Sequence, residues 1–164
     1  MNTPVATIAL FNAPELVDFL RVCTDLLPEE VEQYEAITGE RFHATQAAAN
    51  RYLRASPSWG IATPEEPLCV GGFDCVRPGV WRTWMLTRPM AFEPANWRIV
   101  TRYCRQAVDR VMESGANRVE CEALASRTQA LRWYEKGLRM QREAVSRKAG
   151  AAGQDFVTFV RVRE

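Results

Sequence analysis

The chain has 164 residues, so we expect a single domain over residues 1–164. Hydrophobic residues make up 47% and charged residues 25%, the balance of a folded globular protein. The formal net charge of +1 gives no bulk signal for nucleic-acid binding, and no apolar run approaches the roughly 20 residues that span a bilayer.

The cysteines predict buried thiols in a reducing compartment and no metal site. Their number is five, none forms a C-x-x-C pair, and His43 is the only histidine. A reactive thiol is the alternative, but none of the cysteines has a histidine or lysine close by in the sequence that would favour it. The five are Cys23, Cys69, Cys75, Cys104 and Cys121.

The first third of the chain predicts one strand and three helices. Residues 5–11 (VATIALF) form a short strand candidate. A first helix is capped by Asn12 and ended by Pro28, a second continues to Gly39, and a third covers about 45–54. The second helix carries four glutamates, which predict a solvated face; a docking face for a basic partner is the alternative.

The remainder is predicted to be rich in strands. In chain order we predict strands at 59–62, 68–76 and 80–87, a helix at 96–114, a strand at 117–124, a short helix at 128–136, and strands at 140–145 and 156–162. The fold class predicted is mixed α/β (α+β), with a mostly antiparallel central sheet of about seven strands flanked by helices.

Two segments carry a family resemblance. PLCVGGFDC at residues 67–75 is similar to the third strand of the GNAT N-acetyltransferase superfamily, where a pair of small residues follows an apolar start. RTQALRWYEKGL at residues 127–138 resembles the family pattern N-x-x-A-x-x-x-Y followed by Gly-Phe, with Ala130 and Tyr134 at the matching positions. Together with the element order, these segments make the whole chain resemble a GNAT domain.

The resemblance implies a cofactor and a set of site residues. Acetyl-CoA is the cofactor if the protein is active, and Tyr134 matches the family's general acid. An aromatic residue packed in the core is the alternative for Tyr134. The cofactor-binding candidates are Met85, Leu86 and Thr87, whose backbone could pair with pantetheine, together with Arg88 and with Arg127, which stands where the family usually has Asn.

A narrower resemblance concerns WMLT at residues 84–87 and RWY at residues 132–134. Both are similar to segments of the divergent GNAT-like internal virion proteins of short-tailed bacteriophages. This resemblance implies a structural, assembly or ejected component of a phage particle. Its partners would be other virion proteins or further copies of itself. We then expect the chain in the cytoplasm of the bacterial host during assembly and later in the virion, with no signal peptide.

The phosphate-binding turn departs from the family pattern. GNAT proteins use Q/R-x-x-G-x-G/A there, because the backbone must turn tightly and approach the phosphates. The corresponding TRPMAFEPANWR at residues 87–98 has no glycine. Pro89 and Pro94 each remove an N–H donor, and Glu93 adds a negative charge. We expect a degraded acetyl-CoA site; a divergent N-acetyltransferase acting on an unknown amine is the alternative.

A general base is missing from the strand WRTWML, where many GNAT enzymes place a glutamate. The nearby options are Asp74, Glu120 and Glu122, which are predicted to be solvated strand residues instead. Four tryptophans are predicted to lie near the cofactor cleft, where they could line the cleft, form a protein interface or fill the cleft with their side chains. They are Trp81, Trp84, Trp97 and Trp133.

Overall fold

A computed structural model describes residues 12–54 and 57–164. Its helices are α1 (Leu16–Thr24), α2 (Pro28–Thr38), α3 (Ala44–Arg54), α4 (Pro94–Glu113) and α5 (Thr128–Arg132). Its strands are β1 (Ser58–Ala62), β2 (Pro67–Arg77), β3 (Val80–Thr87), β4 (Arg118–Leu124), β5 (Gln141–Ser146) and β6 (Phe156–Val162). A 3-10 helix covers Pro89–Phe92, and a π-helical turn covers Trp133–Gly137.

The six strands form one sheet in the order β1-β2-β3-β4-β6-β5. Every neighbouring pair is antiparallel except β3 and β4, which are parallel. This arrangement confirms the predicted fold class. The seventh predicted strand, at residues 5–11, lies outside the described residues. In the part of the chain that the structure covers, none of the helices has the length and apolarity to cross a membrane.

The parallel pairing between β3 and β4 is short. It joins Val80 to Arg118, Trp81 to Val119 and Arg82 to Glu120, and then it ends. We call the space between residues 83–87 of β3 and residues 121–124 of β4 the strand gap. Strand edges without ladder partners expose backbone N–H and C=O groups, so the gap needs other groups to satisfy them.

Two adjacent glycines on β2 make room for a tryptophan each. A Cβ added at Gly71 would overlap the ring of Trp59, which is 2% exposed. A Cβ at Gly72 would lie 2.9 Å from the ring of Trp84. Since successive strand residues point to opposite faces, the pair lets large rings pack close to the sheet. This is the physical role of the small-residue pair noted in the sequence.

Apolar side chains are buried on both faces of the sheet. The larger cluster lies between the sheet and α4, and it includes Val100, Cys104, Phe73 and Phe159. The smaller cluster lies beneath α1 and α3, where Phe19 and Val22 pack with Val70. The strand gap lies at the ends of β3 and β4. Helix α2 reaches these ends from one side, and α4 and α5 reach them from the other side.

Candidate functional site

Helix α2 bridges the two strands that border the gap. On β3, the Thr87 N–H donates to Glu30 Oε2 at 2.7 Å, and the Thr87 carbonyl accepts from the Leu27 N–H at 3.3 Å. On β4, the Leu124 N–H donates to Gln33 Oε1 at 3.2 Å, and Gln33 Nε2 donates to the Glu122 carbonyl at 3.4 Å. Polar groups of one helix thus bind the ends of both strands, beyond the strand pairing that stops at Arg82.

Glu30 is a buried carboxylate at this junction. Its side chain is 7% exposed, and burial raises its pKa from 4.5 to about 7, although the Thr87 N–H and the charge of Arg127 act in the opposite direction. Arg127 Nη2 lies 4.0 Å from Glu30 Oε1, and Arg127 Nη1 donates to Gln33 Oε1 at 2.8 Å. Arg127, a predicted cofactor ligand, is therefore engaged with α2.

Glu30 is not among the predicted site residues, because the charge pattern predicts a solvated face for all the glutamates of this helix. A signal was present: Glu30, Gln33 and Ala36 recur every three residues, which places them on one side of a helix. Glu30 and Ala36 are the two buried residues of α2, and Gln33 is partly buried.

Tyr134 lies on the α4 side of the gap, in the π-helical turn. Its ring packs 5.4 Å from that of Trp133 and 5.3 Å from that of Phe159, measured between centroids. Burial raises the pKa of the Tyr134 hydroxyl well above its ordinary value, so the group stays protonated at neutral pH. The packing agrees with a core role, and the predicted catalytic role stays a prediction.

A row of stacked aromatic rings continues away from Tyr134. The centroid distances are 4.9 Å from Trp133 to Trp97 and 4.4 Å from Trp97 to Phe92. Trp133 is fixed further by a 3.0 Å hydrogen bond from its Nε1 to Thr101 Oγ1. The cavity left beside Trp133, Tyr134 and Met85 measures about 20 Å³, which is room for about one water.

The segment after β3 uses several of its backbone donors within the protein. Three amides do so: Arg88 donates to the Leu68 carbonyl at 3.0 Å, Ala91 to the Arg88 carbonyl at 3.1 Å, and Glu93 to the Met90 carbonyl at 3.3 Å. Glu93 is the N-terminal cap residue of α4, and its side chain makes no capping hydrogen bond. The residues present do not fit the pyrophosphate of acetyl-CoA in the manner of the glycine-containing turn.

The remaining predicted cofactor residues have other partners. Arg88 is 13% exposed, and its guanidinium contacts Glu66 at 2.6 Å and Asp25 at 3.2 Å. Leu86 packs on the core beneath α1 and α3, and Met85 Sδ lies 3.8 Å from Cys104 Sγ. The structure thus brings Thr87 and Arg127 together around Glu30, whereas Arg88 binds Glu66 and Asp25 instead.

The three carboxylates weighed as general bases are paired with arginines. Asp74 contacts Arg51 at 2.9 Å, and Glu122 lies 3.9 Å from Arg82. Burial raises the pKa of Glu120, but hydrogen bonds from Arg118 and Arg82 outweigh it and hold the pKa below 4.5. Within residues 12–54 and 57–164, no cluster of three or more His, Cys, Asp or Glu side chains could hold a metal.

No protein-family model matches the chain, and no curated protein matches it in sequence. Solved structures do match its fold. The chain superposes on a GNAT-family acetyltransferase from Bacillus anthracis with a TM-score of 0.66 at 14% identity, over 90% of each chain. The chain has the GNAT fold. At this identity the likeness establishes the fold alone.

Two further GNAT-fold structures show the same likeness. A putative acetyltransferase from Salmonella typhimurium, solved with acetyl-CoA, matches with a TM-score of 0.67 at 10% identity, over 92% of this chain and 91% of that one. A spermidine N-acetyltransferase from Vibrio cholerae matches with a TM-score of 0.65 at 10% identity, over 91% and 92%.

Proposed function

We propose that this GNAT-fold chain has a degraded acetyl-CoA site and acts as a structural, assembly or ejected internal component of a bacteriophage particle. The observation that supports the loss of the cofactor site is the filled strand gap. Support for the phage role comes from the similarity of residues 84–87 and 132–134 to internal virion proteins. Its partners are then other virion proteins or further copies of the chain, first in the host cytoplasm and then in the particle.

The gap is filled from both sides by the protein's own groups. A pantetheine arm pairs with free strand backbone, but the Thr87 N–H already donates to the Glu30 carboxylate at 2.7 Å. On the other side, Trp133 and Tyr134 leave a cavity of about 20 Å³. Entry of a ligand would require breaking a charge-assisted hydrogen bond and unpacking an indole, and each change carries a free-energy cost.

A divergent N-acetyltransferase is the second candidate, and Glu30 is the observation that favours it. A carboxylate with a pKa of about 7 suits a general base at neutral pH, and it lies at the gap where no strand carboxylate is available. In that function Glu30 would take the proton of the amine substrate, and Tyr134 stays the predicted general acid. The matching solved structures include acetyltransferases.

Isothermal titration with acetyl-CoA and with CoA tests the proposal. We expect no binding heat at millimolar ligand, because Glu30 and the aromatic rings occupy the gap and the turn after β3 has no glycine. Micromolar binding would overturn the proposal in favour of the acetyltransferase. In that case Tyr134→Phe should lower turnover without unfolding the protein. For the particle role, mass spectrometry of purified virions should detect the chain, and its absence there would contradict that part.

A further inference from the structure

Helix α4 and the π-helical turn lie side by side along a line that we call the seam. Three contacts define it: the rings of Trp97 and Trp133, the hydrogen bond from Trp133 to Thr101, and Arg105. Arg105 donates from Nε and Nη2 to the Gly137 carbonyl at 2.9 and 2.6 Å. Trp97, Thr101 and Arg105 are four residues apart, so they share one side of α4.

Four exposed cations border the seam. Arg98 and Arg102 follow Trp97 and Thr101 by one position, which places them next to the seam on its solvent side. Across the seam, Arg132 and Lys136 are exposed on α5 and the π-helical turn. None of these four forms an ion pair with a residue that the structure describes.

Few carboxylates oppose this charge. On α5 and the π-helical turn, the sequence has Glu135, which Arg142 neutralises at 2.9 Å. At the start of α4 the sequence has Glu93, one exposed carboxylate beside four cations. The seam therefore carries a local positive charge, although the whole chain is close to neutral.

An exposed aromatic ring lies at the end of the seam. Phe92 is 41% exposed and stacks on Trp97 with an interplanar angle of 24°. Trp97 covers one face of the Phe92 ring, and the exposed part of the ring is available to a planar ligand group. Aromatic faces beside basic side chains are the pattern that binds nucleobases and phosphates of single strands.

We propose that the seam binds single-stranded nucleic acid. Guanidinium and ammonium groups of Arg98, Arg102, Arg132 and Lys136 contact successive phosphates, and a base stacks on Phe92. Side-chain cations spread along two elements suit a ligand with spaced phosphates, whereas a single pyrophosphate favours a compact glycine-containing turn, and residues 87–98 have no glycine. The proposal is independent of the particle role and of the state of the strand gap.

Fluorescence anisotropy with a labelled oligo(dT) of about 20 nucleotides tests the proposal. With four phosphate contacts, the slope of log affinity against log salt should be about −2.8, so binding should weaken about 50-fold between about 50 and 200 mM salt. Arg98→Glu combined with Arg102→Glu should weaken binding by at least tenfold and reduce the slope to about −1.4. Phe92→Ala should weaken binding about tenfold through the loss of stacking.

The matched control is Arg21→Glu combined with Arg41→Glu, which changes the net charge equally at exposed residues outside the seam. We expect this variant to bind as the unmodified protein does. An equal loss in both double variants would overturn the proposal, as would no binding at low salt. The proposal would also be overturned by equal affinity for duplex DNA or by a Phe92→Ala variant that binds normally. Equally strong competition by polyglutamate would overturn it in favour of an acidic protein partner. Circular dichroism shows whether each variant is folded.

Discussion

Gly137 leaves the space in which the Trp133 indole lies. A Cβ added at Gly137 would be 2.5 Å from Trp133 Cδ1 and 2.8 Å from its Nε1. The Gly137 carbonyl also accepts both hydrogen bonds from Arg105. One residue without a side chain thus positions the aromatic ring that packs beside the strand gap and the arginine that joins α4 to the π-helical turn.

Gly137→Ala should lower the free energy of unfolding by about 1–3 kcal/mol, since the added methyl group overlaps a ring held by packing and a hydrogen bond. Urea unfolding measures the change. In a Trp133→Leu background the same substitution should cost clearly less, because the overlapping ring is absent. An equal cost in both backgrounds would show that the Gly137–Trp133 contact is not the cause.

At the scale of elements, α2 stabilises two strands that do not pair with each other along the gap. Its Glu30 binds the edge of β3 and its Gln33 binds the edge of β4. Arg127 contacts both side chains and fixes their positions. A buried carboxylate costs free energy unless it is paired and hydrogen-bonded, and in this cluster neutralisation of Glu30 at mildly acidic pH removes part of that cost.

The protonation of Glu30 predicts a pH-dependent stability. Because its pKa rises from 4.5 to about 7 on folding, the folded protein holds the proton more tightly than the unfolded chain. The stabilisation is fully present below pH 4.5 and is lost as the pH rises to about 7, a change of roughly 3 kcal/mol. Glu30→Gln should lack this loss when unfolding free energies are measured across that range.

Glu32→Gln is the matched control, since Glu32 is exposed on the same helix and its charge is not among those that shift the pKa of Glu30. This variant should follow the pH curve of the unmodified protein. If the curve of Glu30→Gln ran parallel to it as well, Glu30 would not be the group that titrates.

At the scale of the whole molecule, four of the five cysteines are buried. Cys23, Cys69, Cys104 and Cys121 are buried, and Cys75 is exposed. Burial raises the pKa of Cys23 and of Cys69 to about 12, and it also raises those of Cys104 and Cys121. These four thiols are therefore protonated and shielded in the folded protein.

Titration with a chromogenic disulfide reagent should detect one fast-reacting thiol in the folded protein and all five after denaturation. Cys75→Ser should remove the fast reaction. A second fast-reacting thiol in the folded protein would mean that one of the two hydrophobic clusters opens readily. That result would also count against the proposal that the strand gap is filled.

Local sequence signals were enough for most elements. The strands predicted at 80–87 and 156–162 have those bounds in the structure, because alternation and turn residues mark both ends. The helix predicted from 96 begins at Pro94, since proline is well suited to the first helical position. The predicted helix at 128–136 instead divides into α5 and a π-helical turn, whose first residue, Trp133, packs on Trp97 of α4.

For the site, the motif located Tyr134 and Arg127 near the gap, but the partner of Arg127 was not predictable. Glu30 is 57 residues from Thr87, and Gln33 is 91 residues from Leu124. Sequence periodicity reports on neighbours within a few turns, so it can place Glu30 on the same side of α2 as Ala36 but cannot identify partners this distant in the chain.

The sequence by itself determined the order of elements, the fold class and the loss of the glycine turn, because these follow from local periodicity, proline and glycine. Only the tertiary structure decided that α2 binds both strand ends at the gap and that Glu30 is the buried carboxylate there. The physical reason is that both depend on groups brought together from α2, β3, β4 and the π-helical turn. The free energy of burying a charge or an indole is set by those distant partners.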